Sequence, residues 1–491
     1  MRFKVKNIPL ATGATLVVFI NTNDAKMFDL HLGDRVRIQS RKKEFIAAVD
    51  YADDNFIRQG MIGLSEEDTN LLGMGARDGY VNLTPAPQPA SLKFIKRKLA
   101  GHVLTKDQLT QIVKDIVNNE LTDIELTYFV AATYSHELTI EEIAALTNSI
   151  VNTGLKLNLG KEPILDKHCI GGVPGNRTTM IVVPIIAAAG LTIPKTSSRA
   201  ITSPAGTADT VEVFTNVSIT LEKMRSIVKK YGGCLAWGGS LNLAPADDKI
   251  IRVEHPLSID APGMLLSSVL AKKKSVGATH VLIDIPWGAG TKMETREEAD
   301  HLKGLFEILC KKLGMKYKIL LTDGSQPIGN GIGPLLEALD VLKVLKNENG
   351  APQDLKEKSI YLAGELLNLS GKTRNGHALA RRLLDSGEAY KKFMQIIRAQ
   401  GEKKLPAPAR YDYEIRAERA GTIKAIRNTH ISRMAVLCGA PKTKEAGLYI
   451  HKKRGERVKK GELLLTLYAN DKNLLTYAAS VYEKGQTIVI S

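Results

Sequence analysis

Cysteine is scarce: Cys169, Cys234, Cys310 and Cys438 are the only four in 491 residues, and no CxxC pair occurs. That scatter disfavours both a zinc site and a disulfide framework in a chain of this size, so reduced thiols are expected. Aromatic residues make up only 5% of the chain, too few for the stacking platforms that hold single-stranded nucleic acid. No apolar run approaches the roughly 20 residues of a spanning helix; the most apolar stretch, Met180 to Leu191, is broken by Pro184 and Gly190. The leading residues MRFKVKNIPL lack the apolar segment and small-residue cleavage site of a secretory signal, and the cytoplasm is the expected compartment. His136, His255, His280 and His301 are not spaced as metal ligands and HExxH is absent, so neither a metal nor an organic cofactor is expected.

What is present is length and positive charge. A chain of 491 residues exceeds what one hydrophobic core usually organises, so several domains are expected. Lys+Arg 68 against Asp+Glu 52 gives a net charge of +16. Such a charge attracts polyanions or concentrates small anionic substrates. The basic clusters Arg41 to Lys43, Lys96 to Lys98, Lys272 to Lys274 and Lys452 to Arg454 are short and dispersed, which favours the small substrate over a polyanion-binding protein.

Periodicity divides the chain. Short β-branched runs at Thr15 to Ile20, Gly33 to Ile38 and Phe45 to Val49 predict a β-rich module over 1–84, closed by the extended linker TPAPQPA from Thr84 to Ala90. From Thr105 the period becomes helical, and Thr105 with Gln108, Thr122 with Glu125 and Thr139 with Glu142 fit capping boxes. Three helices are predicted within a lobe over 90–160, the last ending at Gly154 as a left-handed terminator. Beyond Ile164, apolar strands at Val281 to Ile285 and Lys318 to Leu321 alternate with helical stretches such as Glu297 to Leu313, giving an α/β lobe over 161–244 and 276–404 with a mixed or parallel sheet. LPAPAR, Leu405 to Arg410, marks a second linker before a β-rich α+β module over 408–491. Gly455, Val458, Gly461 and Leu464 there have the spacing of half a biotinyl-type sandwich, but no MKM tripeptide follows, and a structural module is expected.

Two loops carry the chemistry. DKHCIGGVPGNRTTM, Asp166 to Met180, reads as a strand, a loop with three glycines and a helix from about Arg177. Glycines let backbone amides approach an anion, and a helix N-terminus adds oriented N–H groups. With Lys167, His168 and Arg177 adjacent, phosphate is the natural guest, although neither GxxxxGK[ST] nor GxGxxG is present. KTSSRAITSPAGTADT, Lys195 to Thr210, concentrates hydroxyls around Gly206 and offers the planar fork of Arg199, a second oxyanion cradle.

The order KHxxGGV, IPKTSSR, AGTAD, PLSID, LLSSVLAKK, IPWGAGTKM and QPIGNGIGP resembles the thymidine/pyrimidine nucleoside phosphorylase family over most of the chain, and within it the archaeal-type branch that takes AMP. The amino-terminal β module and Pro174, Asn176 and Arg177 agree with that branch. Cys169 and Ile170 stand where the nucleoside enzymes carry hydroxyls that help hold phosphate, which shifts that task to backbone amides and the second loop.

The resemblance implies a helical lobe, extended by about 245–275, that faces the α/β lobe across a cleft, and at least a homodimer. It places substrate contacts at Gly172, at Ser198, Arg199, Ala200, Ile201, Thr202 and Ser203, and at Thr207, Ser268 and Lys292, with weaker contacts at Lys167 and His168. It makes Asp260 the proton donor. The implied reaction is phosphorolysis of AMP, with CMP and UMP as further substrates, giving free base and ribose 1,5-bisphosphate for nucleotide salvage. A protonated Asp260 suits an N-glycosidic cleavage whose leaving base gathers negative charge, and its apolar neighbours Pro256, Leu257, Ile259 and Pro262 would favour the protonated form. Two anions, phosphate and the 5′-phosphate, match two loops. A thymidine or pyrimidine nucleoside phosphorylase is the rival enzyme, and a phosphoribosyltransferase of the anthranilate type a weaker one.

Overall fold

The structure, a computed structural model, describes residues 1–10, 16–41, 43–74, 79–160, 163–200, 203–257 and 261–491. Ile201, Thr202 and Asp260 lie outside the described residues. The chain forms two compact units, Met1–Gly154 with Ala244–Ser268, and Leu155–Leu243 with Val269–Ser491.

The first unit begins with a closed six-stranded barrel, in the order Arg2–Ile8, Met61–Ser65, Val17–Asn21, Glu44–Ala52, Arg35–Gln39 and Tyr80–Pro85. Alternation fixes which side faces in: Val36 and Ile38 are fully buried while Arg35 and Arg37 point outward. The last strand runs on through Thr84 and Pro85, so the extended linker starts two residues later than the prolines suggest.

Helices Lys106–Val117, Asp123–Ser135 and Ile140–Thr153 follow, each opened by the capping box expected of it. Gly154 ends the last one at φ −98°, an extended conformation and not the left-handed one expected. Helix Pro245–Leu257 joins this bundle, and Lys249 Nζ donates to the carbonyls of Ile116 and Val117, both at 2.8 Å, covering the carboxyl end of a neighbouring helix. Arg35 of the barrel pairs with Glu125 of the bundle.

The second unit is built on parallel strands. Lys316–Asp323, His280–Trp287 and Leu165–Cys169 form one ladder, Ile193–Ser197 and Gly233–Trp237 another, and a parallel bridge from Ile164 to Thr192 joins them. All five carboxyl ends therefore emerge on one edge, where ligands of open α/β sheets bind. Helix Thr179–Ala188 is apolar on every face, and Met180 to Ala187 are all buried. An all-round apolar helix is stable only in a core, and helices Pro334–Leu345, Gln353–Leu369, Gly376–Asp385 and Glu388–Gln400 contribute to the same core.

The carboxyl-terminal module is continuous with this unit. Strand Gly331–Ile332 pairs with Gly447–Ile450, which pairs with Leu463–Ala469 and through it Tyr411–Arg416. Ile332 is fully buried in the module's own core beside Leu448 and Leu465. Val458 and Leu464 of the glycine-spaced motif are core residues as well, in keeping with a structural module.

Candidate anion site at the sheet edge

Of the loops that leave the five carboxyl ends, four matter here: the first after Cys169, the second after Ser197, the third after Trp287 and the fourth after Asp323, and the first touches each of the others. The first, after Cys169, turns through Gly171 and Gly172 at φ +93° and +90°. A Cβ on Gly172 would lie 2.7 Å from the Lys292 backbone nitrogen, and one on Gly175 would lie 2.0 Å from the Ile328 carbonyl oxygen. Glycine is therefore required at both places by close backbone approach, the first loop resting on the third and on the fourth. The Ile328 amide donates to the Pro174 carbonyl at 3.1 Å, and Asn428 Nδ2 donates to the Gly324 carbonyl at 2.7 Å.

Beneath these loops the sheet carries charge on both faces. Asp166 and His168 alternate with Lys167 and Cys169 along one strand, so they face opposite sides. On one side Asp166 lies 3.0 Å from Lys273 and 3.5 Å from Lys195. On the other, Asp284, in register with Cys169, lies 4.0 Å from Lys167 and 3.4 Å from Lys358 and accepts a 2.6 Å hydrogen bond from Thr322. Two carboxylates thus meet four lysines, leaving positive charge in surplus below the loops.

The titrations follow from that arrangement. Burial lowers the pKa of Lys195 to about 7, with Asp166 opposing it. Burial also lowers Lys167, against the pull of Cys169 and Asp284. His168 is pushed well below its ordinary value by burial and by Lys273, Lys195, Lys167 and Lys272, so its imidazole is neutral. Burial opposes ionisation of Asp284, but Lys358, Lys167 and the Thr322 hydroxyl prevail and hold it below the usual carboxylate range. Burial raises the Cys169 thiol, which accepts a 3.4 Å hydrogen bond from Asn176.

The residues singled out from the sequence fall into several groups. Gly172 and Lys292 meet directly, at backbone level. Lys167 is buried under the first loop, where it donates to Thr178 Oγ1 at 2.9 Å; it supports the loop from below. The helix after that loop starts at Thr179, two residues later than expected. Arg177, read as an anion contact, is buried and bonded to Glu337 and to the Ala205 carbonyl. It ties the first loop to the second and to helix Pro334–Leu345, because Glu337 also accepts from Thr210 at 2.9 Å.

In the second loop Ser198 and Ser203 are exposed and Thr207 is partly so. The amides of Ala200 and Gly206 donate to the Asp209 carboxylate at 2.7 and 3.0 Å, so the chain's own anion occupies part of the expected cradle. The Arg199 fork is also committed: Nη1 and Nη2 donate to Glu212 at 2.8 and 2.7 Å, and the guanidinium stacks 4.8 Å from the Trp237 ring. Ser268 belongs to the first unit and donates to Asp247 at 2.9 Å. Asp166, Lys195, Asp284 and Lys358 escaped the sequence reading. A lone charge within an apolar strand, as in VLIDIPW, was the available signal for Asp284.

Comparison with known proteins agrees with this architecture. Residues 92–154 match the helical bundle domain of the glycosyl transferase family, residues 161–390 its a/b domain, and residues 422–489 the pyrimidine nucleoside phosphorylase C-terminal domain. The chain is 42% identical to AMP phosphorylase 1 of Archaeoglobus fulgidus and 44% identical to AMP phosphorylase of Pyrococcus furiosus, each over 100% of this chain and 98% of the relative. It is also 44% identical to a putative thymidine phosphorylase of Hahella chejuensis, over 92% of this chain and 89% of that one. Anthranilate phosphoribosyltransferase from Thermus thermophilus shares the fold at a TM-score of 0.54 and 20% identity, over 62% of this chain and 98% of that one. From the helical bundle to the carboxyl-terminal module, the chain belongs to the nucleoside phosphorylase family of pentosyltransferases, the family that includes the AMP phosphorylases.

Proposed function

We propose that the protein is an AMP phosphorylase: AMP and inorganic phosphate give adenine and ribose 1,5-bisphosphate, with CMP and UMP as further substrates. The C1′–N9 bond breaks, a phosphate oxygen bonds to C1′, and the departing base takes up a proton. The observation that carries the reading is the meeting, at one sheet edge, of a glycine loop and a hydroxyl-rich loop above a surplus of buried lysine. Such an edge suits oxyanions that must be held while charge redistributes. The choice of AMP draws on the relatives that match the full chain. Asp260, in the PLSID segment, is assigned as proton donor to the base, and Ser268 as a base contact. Lys292, with the loop hydroxyls of Ser198, Ser203 and Thr207, is assigned to the anions. The reaction as assigned needs no cofactor beyond phosphate, and we place it in the cytoplasm in a homo-oligomer.

Free base is to be measured from AMP, adenosine, CMP and thymidine, with and without phosphate. Phosphate-dependent release from AMP and not from adenosine is the expected result. Thymidine turnover alone would favour the nucleoside enzyme, which the similarity to putative thymidine phosphorylases keeps as the second reading. Asp260→Asn should lower kcat by about 10²–10⁴-fold with nucleotide binding retained, the range general acid catalysis supplies.

A further inference from the structure

The second loop is gripped by a group of charges drawn from two parts of the second unit. Glu212 accepts both nitrogens of the Arg199 fork and lies 3.0 Å from Lys444. Asp209 takes a third contact from Arg199 at 3.2 Å and lies 3.7 Å from Lys444, so two carboxylates balance two cations. Lys444 comes from the carboxyl-terminal module, and its backbone is fixed: its carbonyl accepts from the Leu335 amide at 2.9 Å, at the start of the helix that carries Glu337. Arg199 is borne by the loop itself, next to the exposed Ser198, and like Lys444 and Glu212 it is partly exposed. An oxyanion arriving over that loop competes with Glu212 for the same fork, since guanidinium offers carboxylate and phosphate the same paired geometry.

We propose that Glu212 and Lys444 are positioning residues for the substrate anion: Glu212 stores the Arg199 fork, and Lys444 takes over Glu212 when Arg199 turns to the anion. The carboxyl-terminal module thereby enters the anion affinity of the α/β lobe without touching substrate. This rests on the anion-binding reading of the second loop. Without Lys444, release of Arg199 would leave Glu212 as an unbalanced carboxylate beside the bound anion, and binding would weaken. Without the Glu212 charge, the fork would be held only by Asp209 and the Trp237 ring, and binding would strengthen.

The two substitutions therefore act in opposite directions, which a general loosening of the loop would not produce. Calorimetric titration of the full chain with inorganic phosphate, and separately with AMP, is the test, alongside KM and kcat for both. Glu212→Gln should tighten one of the two anions by about 3–10-fold and Lys444→Met should weaken the same one by a similar factor, the scale of one charge-assisted contact that is partly solvated. The double variant should lie near Glu212→Gln, because Lys444 sits closer to Glu212, at 3.0 Å, than to Asp209, at 3.7 Å. Both variants shifting affinity the same way, neither shifting it, or additive effects in the double variant would overturn the inference. The order of affinities without any phosphorolysis would uphold it and sink the functional reading; phosphorolysis without that order would do the reverse.

Discussion

Asp166 is the residue on which the buried charge beneath the first loop depends. It is fully buried, and two lysines rely on it within 3.5 Å. Asp166→Asn leaves Lys273 and Lys195 facing each other in a medium that solvates neither, and should cost about 3–5 kcal/mol of stability. Lys195→Met, by contrast, removes the surplus cation, already brought down to about 7 by burial, and should be far milder in stability while weakening phosphate. Guanidinium unfolding curves of the two variants check the order, and the reverse order would contradict the charge count.

Glu212 makes a pH prediction. Hydrogen bonds from Arg199, then Lys444, bring its pKa from 4.5 down to about 2 against the opposing effect of burial. A carboxylate depressed on folding contributes stability that is complete above the unfolded value and lost as the folded value is passed. Its contribution should fade between pH 4.5 and pH 2, and Glu212→Gln should flatten that part of the stability profile measured by unfolding at successive pH values. Arg199 and Arg177 show why residue roles were harder to read than residue types. Their sequence neighbours suggested phosphate, but Glu337 stands 160 positions from Arg177, and the Lys444 that shares Glu212 with Arg199 comes from the far module. Local sequence cannot announce a partner that distant.

At the scale of elements, the glycine loop is held by backbone approach. Gly175 has φ +73°, and an added Cβ would sit 2.0 Å from a carbonyl oxygen that the fourth loop cannot withdraw without losing the Ile328 to Pro174 hydrogen bond. Gly175→Ala should therefore destabilise by about 1–3 kcal/mol from backbone strain alone and more from displacement. It should also raise KM for phosphate; a variant with wild-type KM and melting temperature would contradict the packing of the loops. Elements with local causes were the legible ones. The three capping boxes formed as expected because donor and acceptor lie three residues apart. The left-handed turn expected at Gly154 does not form: Gly154 is extended, and the Leu155 amide after it donates to the Asn242 carbonyl at 2.9 Å. Strands His280–Trp287 and Lys316–Asp323 were visible as the apolar runs Val281 to Ile285 and Lys318 to Leu321, whereas Gly233–Trp237, a five-residue strand with no alternation, was not.

For the whole molecule, the carboxyl-terminal module is where sequence and structure part most. LPAPAR marks a linker before this module, and the two sides of it are nonetheless tied: Ile332 of the α/β region is buried in the module's core, and Lys453 donates to the Pro327 carbonyl at 3.1 Å. A strand pair between residues more than a hundred apart leaves no periodic signature. Truncation at residue 410 should accordingly expose Ile332 and lower the melting temperature of the remainder, not merely delete an appendage. Calorimetry of the truncated chain checks this, and an unchanged transition would contradict it.

Exchange of a nucleotide's base for phosphate leaves its mark on the product, which phosphorus NMR identifies. With AMP and inorganic phosphate, the expected product is a sugar bearing two phosphate monoesters, one at C1 and one at C5, formed in step with free adenine. Base release that proceeds equally well without phosphate, or a product carrying a phosphate at C1 only from a nucleoside substrate while AMP stays intact, would contradict it.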